Sequence, residues 1–367
     1  MNHIPRIIIA SLMSFFLCGT TLRAEVSPVD YVNPLMGTMS KKELSTGNTY
    51  PAVAVPWGMN FWTPQTAFTG DNWTYTYTAD KICGFKQTHQ PSPWIGDYGQ
   101  ISLMPVVGPK FTEQDRASWF SHKAETSTPY YYSVYLADHD VFAEMAPADR
   151  AAVLRFRFPE TDSAYVVVDA FDSGSYIKVD YKRNAIVGWS TRNSGGVTDD
   201  FKNYFIVKFD VPFSDVVLLD DYTPVHADCK EGSHVVAAVR FATSRGQAVN
   251  ASVASSFICA EQAVLNLKEV DGKDFDHVKS EARDRWNDVL GRIMVKTDDR
   301  RPMETFYTCL YRSLLFPRKL YEVNAEGRKV HYSPYCGGTR EGVMYTDTGF
   351  WDTFRALFPL LNLVYPE

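Results

Sequence analysis

The sequence predicts a multi-domain, β-then-α protein: an antiparallel β-sandwich, then linker helices, then large apolar helices. Three observations carry this. Between about residues 100 and 260, short runs alternate apolar and polar residues, separated by clusters such as DSGS and RNSGG. Many period-two runs with no helical pattern between them indicate a sandwich. After residue 260 the apolar spacing lengthens to three and four, first in charged segments and then in strongly apolar ones.

The chain opens with Arg6, an apolar run from Ile7 to Leu17 and a more polar stretch ending in TLRA at Ala24. This is the pattern of a secretory signal cleaved near Ala24. The run is shorter than the about 20 apolar residues that span a bilayer, and no later segment is long and apolar enough. Cys18 lacks the small residues that precede a lipidated cysteine, so its removal with the signal is favoured over a lipid anchor. Secretion across the inner membrane, to the periplasm or cell surface, is expected.

Composition narrows the function. With 45% hydrophobic and 22% charged residues the mature chain is globular and long enough for two domains. The net charge is −6 and no basic run occurs, so nucleic acid is an unfavoured partner. Five cysteines follow the signal: Cys83, Cys229, Cys259, Cys309 and Cys336. They are dispersed, odd in number and never C-x-x-C, which argues against a disulfide framework and a zinc site. Asn72 and Asn250 head weak glycosylation patterns. Aromatic residues make up 14%; they suit sugar faces, but large cores use them too.

The strand runs are AVLRFRFP, YVVVDAF, AIVGWST, NYFIVKFDVPF, VVAAVRFAT and VNASVASSFI. In the first, Leu154, Phe156 and Phe158 face one side and Arg155 and Arg157 the other. EQAVLNLKEV and FDHVKSEARDRWNDVLGRI then take helical spacing through Phe275, Val278, Ala282, Trp286 and Leu290. In DDRRPMETFYTCLYRSLLFPRKL, Asp299 can cap, Pro302 suits a first turn and Phe306, Leu310 and Leu314 form a stripe. A looser stretch, KLYEVNAEGRKVHYSPYCGG, follows. The last segment, with Thr346 or Asp347 as cap, keeps helical spacing through Phe350, Phe354, Leu357, Phe358 and Leu361. Pro359 should kink or end that helix.

Three stretches stand out for chemistry. GNTYPAVAVPWGMNFWTPQT, residues 47 to 66, is dense in Gly, Pro and aromatics, which favours a loop over a strand; it either covers a core or binds a ligand. In GFKQTHQPSPWIGDYGQISLMP, residues 84 to 105, a Pro-fixed loop holds Trp94, Gly96 and Asp97. Such a loop loses little entropy in presenting a ring to a ligand; alternatively Trp94 plugs the sandwich edge and Asp97 caps a turn. His89 alone reads as hydrogen-bonded structure. In FWDTFRALFPLL, Asp352 and Arg355 are spaced to pair on a helix, or Asp352 accepts from a ligand's hydroxyls. No G-x-S-x-G, Walker loop, dinucleotide fingerprint or H-E-x-x-H occurs.

On GFKQTHQPSPWIGDYGQISLMP, TFYTCLYRSLLFPR and YTDTGFWDTFRALFPLLNL, with lesser matches at PADRAAVLRFRFP and SSFICAEQAVLNL, the chain resembles glycoside hydrolase family 92. These are calcium-dependent, exo-acting α-mannosidases exported by bacteria. The resemblance runs from VDYVNPLMGT to the C-terminus. It implies a signal peptide at 1–24, a β-sandwich (supersandwich) at 25–262, a helical linker at 263–292 and the beginning of a truncated (α/α)6 barrel at 293–367. The site implied lies between sandwich and barrel. It would hold a terminal mannose of an N-glycan or mannan through Trp94, Gly96 and Asp97 on one side and Trp351 and Asp352 on the other. Trp94 would pack on the sugar and Asp352 accept from its hydroxyls, whereas Asp97 either reaches the sugar or shapes the loop.

The family mechanism implied is inverting, with an acid and a base carboxylate roughly 6.5–9.5 Å apart. Bound calcium would distort the sugar, using oxygen ligands that suit a hard cation. The motifs for the acid, the base and most of the calcium environment are not recognisable here. The expectation is therefore an N-terminal portion with no catalytic residue and no metal ligand of its own, inactive without the missing C-terminal barrel half. The alternative reading is a non-catalytic carbohydrate-binding or interaction protein built on the sandwich.

Overall fold

A computed structural model describes residues 26–41, 43, 49–68, 73–91, 95–346 and 348–367. The expected signal at 1–24 with Cys18, and also Asn72, Trp94 and the proposed cap Asp347, lie outside the described residues.

Alternating runs build two antiparallel sheets. The larger has nine strands in the order Cys229–Gly232, Ser175–Asp180, Ala185–Ser190, Asn203–Phe209, Ala248–Ser256, Ala151–Arg157, Val141–Pro147, Tyr131–Leu136 and Glu125–Thr128. The smaller has seven, in the order Phe61–Gln65, Gly84–Thr88, Ile101–Val107, Thr161–Asp169, Val235–Thr243, Asp215–Asp220 and Thr223–Val225. Their inner faces share one core, in which Leu154, Phe156 and Phe158 meet Val166, Val168, Val239 and Phe241. Each such side chain contributes roughly 1.5–3 kcal/mol relative to exposure.

The sandwich starts earlier than the strand pattern indicates. Phe61–Gln65 and Gly84–Thr88 are strands, although both lie in stretches that read as loops. Pro64 is tolerated because its strand is the sheet edge. Pro105 is tolerated because the pairing with Gly84–Thr88 ends at Leu103.

Helices form where the spacing predicts them. A helix at Ala260–Asn266 continues into a 3-10 turn, and a second helix spans Phe275–Leu290 with Asp274 accepting from the His277 N–H at 2.7 Å. Phe275, Val278, Ala282, Trp286 and Leu290 are all buried. Phe275 and Val278 cover Ala151, Val153 and Ile206 on the outer face of the large sheet. Arg155 completes that cover: it bonds Glu144 at 2.6 and 2.8 Å and lies 4.0 Å from the Phe275 ring.

Trp286 and Leu290 reach a second core with Ala54, Phe61 and the helix Arg300–Ser313, which Asp299 caps. That helix buries Met303, Tyr307, Leu310 and Tyr311. Two hydrogen bonds between residues distant in sequence fasten the irregular stretch near residue 53: Trp286 Nε1 donates to the Ala54 carbonyl at 2.7 Å and the Tyr311 hydroxyl to that of Ala52 at 2.5 Å.

The looser stretch is a small sheet of Tyr321–Val323, Lys329–Tyr332 and Thr339–Glu341, beside a pairing of Arg318–Lys319 with Tyr345–Thr346. The last segment departs from a single helix. Helices at Phe350–Thr353 and Leu357–Val364 are separated by a break at Phe354–Ala356. Pro359 does not end the second helix but occupies its first turn, where no amide partner is lost. Its ring excludes a helical carbonyl four residues back, at Arg355, so the break falls one turn before it. Leu360, Leu361 and Val364 pack on the second core, whereas Phe350, Trp351 and Leu363 are exposed.

Candidate functional site

The strands Gly84–Thr88 and Ile101–Val107 pair antiparallel, so residues 89–91 leave the sheet and residues 95–100 return to it at the same end. Asp97 ties this loop. Its Oδ1 accepts from the His89 and Tyr98 amides at 2.7 and 2.9 Å. Its Oδ2 accepts from Thr88 Oγ1 and Gln100 Nε2, both at 2.8 Å, with Lys86 Nζ at 3.2 Å. Burial alone would raise its pKa, but the Lys86 ammonium and these donors pull it below the usual value. A carboxylate offers about four lone-pair sites, and all are used within the protein. Of the two roles read for Asp97, the geometry favours shaping the loop.

His89 is buried beside the knot, its ring nitrogens 2.8 Å from the Tyr98 carbonyl and 3.0 Å from Asn60 Oδ1. Burial, helped by the Arg318 charge, pushes its pKa down to about 3, and both ring nitrogens are engaged within the protein, which is a structural role. Gly96 has φ of 80° and a Cβ there would lie 2.1 Å from Ser194 Oγ, so only glycine suits the position.

Two other segments converge on this loop. Tyr98 packs against a small core of Met59, Phe201, Phe257, Leu320 and Tyr332, of which only Tyr332 lies in a strand and the others flank strands. The fully buried Arg318 donates to the Tyr98 hydroxyl and, at 2.9 Å, to the Met59 carbonyl. Arg318 pairs across to Thr346, and Trp351 follows five residues on, within about 17 Å at full extension. Trp351 therefore lies within that distance of Thr346. Trp351 and Asp352 are exposed. Arg355 lies over the Trp351 and Phe354 rings, at 5.4 and 4.7 Å, rather than pairing with Asp352. Among the described residues no hydrogen bond joins Gly96 or Asp97 to Trp351 or Asp352.

A cavity of about 340 Å³ opens beside the loop, lined by Tyr50, Pro91, Arg312 and Phe316 among others. Arg312 donates to Thr49 Oγ1 and to the carbonyls of Pro34 and Met36 at 3.1 and 2.7 Å, and the Tyr50 hydroxyl donates to Gln90 O at 2.8 Å. Arg312 and Arg318 both lie in the LYRSLLFPR run and were not singled out by sequence. The available signal was two arginines inside an otherwise buried apolar stripe. Among the described residues no group of three or more His, Cys, Asp or Glu side chains could hold a metal ion, so they do not by themselves fit a calcium site.

Two family descriptions match the chain: the glycosyl hydrolase family 92 N-terminal domain over residues 31–256 and the family 92 catalytic domain over residues 262–367. A family GH92 inverting mannosidase of Bacteroides thetaiotaomicron VPI-5482 is 46% identical, with a TM-score of 0.90 over 93% of this chain and 46% of that one. A second α-mannosidase of that species, solved with mannoimidazole, is 27% identical, with a TM-score of 0.79 over 92% of this chain and 46% of that one. An uncharacterized secreted glycosidase of Arthroderma benhamiae is 24% identical over 78% of this chain and 41% of its own length. The chain thus spans less than half the length of these relatives.

Proposed function

The chain belongs to glycosyl hydrolase family 92, and from that premise we propose that it supplies the sugar-gripping part of an exported exo-α-mannosidase. One observation carries the proposal: the Asp97-tied loop and the segment leading to Trp351 and Asp352 meet through Tyr98 and Arg318, at the seam between the two matched regions.

In this reading Trp94 packs on the apolar face of a terminal α-linked mannose, on a loop whose course Gly96 permits and Asp97 holds. Trp351 closes the opposite side. The exposed Asp352 carboxylate accepts from sugar hydroxyls, and charged acceptors make the stronger hydrogen bonds. The relative called an inverting mannosidase supports an inverting reaction, in which an acid protonates the leaving oxygen and a base carboxylate activates water. We assign neither carboxylate to this chain, and place them on later helices of an (α/α)6 barrel that begins with Arg300–Ser313. Calcium enters through the family resemblance alone, and no residue of this chain is assigned to hold it. Export by residues 1–24 belongs to the same proposal. Among the described residues no helix is long and apolar enough to cross a membrane.

The test is release of mannose from α-mannosides by a complete polypeptide containing this sequence, with and without Trp94→Ala. Undiminished release by the variant would remove Trp94 from the grip, and release of a different sugar would overturn the substrate class.

A further inference from the structure

The sugar-gripping reading makes no use of residues 192–201, yet that segment bonds both to the Asp97-tied loop and to the hairpin of Lys329–Tyr332 and Thr339–Glu341. At one end Ser194 Oγ donates to the Asp97 carbonyl at 2.8 Å, and the Arg192 carbonyl accepts from the Gly99 N–H at 3.2 Å. Gly96 faces Ser194 so closely that no Cβ fits between them. At the other end the Asp200 carboxylate accepts from the Tyr332 hydroxyl at 2.9 Å and the Gly338 N–H at 3.1 Å. Thr198 Oγ1 donates to the same carboxylate at 2.5 Å. Between the two ends, Phe201 is buried against Tyr98, Phe257 and Tyr332.

We propose that residues 192–201 form a brace that positions residues 95–99 against the 329–341 hairpin. Ser194 is the positioning residue at the loop, and Asp200 the one at the hairpin. The physical case is a division of labour. The Asp97 side chain ties the loop to its own stem, through Thr88, His89 and Gln100. That knot uses only the Asp97 carboxylate and makes no bond to the Asp97 carbonyl, and the backbone around it has positive φ at Gly96 and, three residues later, at Gly99. The Ser194 hydroxyl supplies a bond to that backbone from outside the loop. Because Asp200 sits on the same short segment, the hairpin and the loop hold a common reference. The brace rests on the sugar-gripping reading only for its effect on substrate; its mechanical role can be tested separately.

Hydrogen–deuterium exchange of the purified chain tests it. Ser194→Ala should speed exchange at residues 95–99 by about three- to tenfold, as loss of one hydrogen bond implies, with the strand Val235–Thr243 unchanged. Ser194→Thr keeps the hydroxyl and should restore protection. Asp200→Ala should loosen 95–99 as well as 337–338. Wild-type protection at 95–99 in Ser194→Ala, failure of Ser194→Thr to restore it, or loosening in Asp200→Ala confined to the hairpin would each overturn the brace. Adding mannose to the wild-type chain separates the two ideas. If mannose gives 91–99 no protection while the variants respond as stated, the sugar-gripping reading loses support and the brace holds.

Discussion

The guanidinium of Arg318 lies 5.5 Å from the ring of Phe61 and 5.5 Å from that of Tyr98, and donates to the Tyr98 hydroxyl. A strand after the Arg300–Ser313 helix is thereby fastened into the sandwich. Arg318→Ala would leave the buried Met59 carbonyl without this donor and open a void. A loss of about 2–4 kcal/mol in urea unfolding is expected. Arg318→Lys should recover only part of it, because an ammonium cannot reproduce the planar fork. A loss below about 0.5 kcal/mol would show that the fastening is incidental.

The Asp97 knot makes the loop sensitive to acid. The folded carboxyl has a pKa below its ordinary value of about 3.9. Its stabilisation is therefore complete above that value and is lost as pH falls through the depressed folded one. Proteolysis near residues 91–99 should rise sharply below about pH 3.9 in the wild type. Asp97→Asn should be cleaved readily at pH 7 already, because it leaves the buried Lys86 unpaired, a change that costs about 3–5 kcal/mol. Equal resistance of the two proteins at pH 7 would contradict this.

Asp149 joins three parts of the chain. Its carboxylate meets Arg285 of the linker helix at 3.0 Å and Lys319 at 3.0 Å. Although burial opposes ionisation, these two cations draw its pKa down to about 2. Asp149→Ala should cost about 1–2 kcal/mol at neutral pH, and the difference from wild type should shrink as pH falls from about 4 toward 2. A gap that stays constant across that window would assign the cost to packing instead of charge.

For activity, residues 25–367 alone are expected to give no turnover of an aryl α-mannoside, whereas a complete polypeptide should turn it over. A calcium chelator should abolish that turnover, and persistence in its presence would exclude the metal. In the complete protein Asp352→Ala should lower kcat/KM by about 10- to 100-fold, the worth of one charged hydrogen bond to substrate. An unchanged kcat/KM would remove Asp352 from the sugar site.

The sequence made the sandwich legible wherever one strand face is apolar and the other polar, as at Leu154, Arg155, Phe156 and Arg157. It did not reveal Phe61–Gln65 or Gly84–Thr88, which are buried along their whole length. There Thr63, Gln65, Lys86 and Gln87 lie inside, so no alternation marks the strands. The linker was readable because Phe275 to Leu290 form one apolar stripe at helical spacing, buried at one end on the large sheet and at the other on the second core. The small sheets of 318–346 were not, since two to four residues are too few to show a period. Asp97 was recognisable as a loop residue, but its five donors come from positions no pattern connects. The break at Phe354–Ala356 displaced the expected helix because Pro359 acts on the turn before it.

The bonds from Trp286 to Ala54 and from Tyr311 to Ala52 span 232 and 259 residues. During synthesis, the stretch holding Ala52 and Ala54 emerges early and waits for partners made much later. Contacts so distant along the chain are slow to form. The early-made apolar surface around Phe61 thus stays open while the sandwich assembles, and becomes sealed only when the Arg300–Ser313 helix docks. The seam between the two matched regions is also the last part of the described core to close, so translation order places its greatest aggregation hazard there.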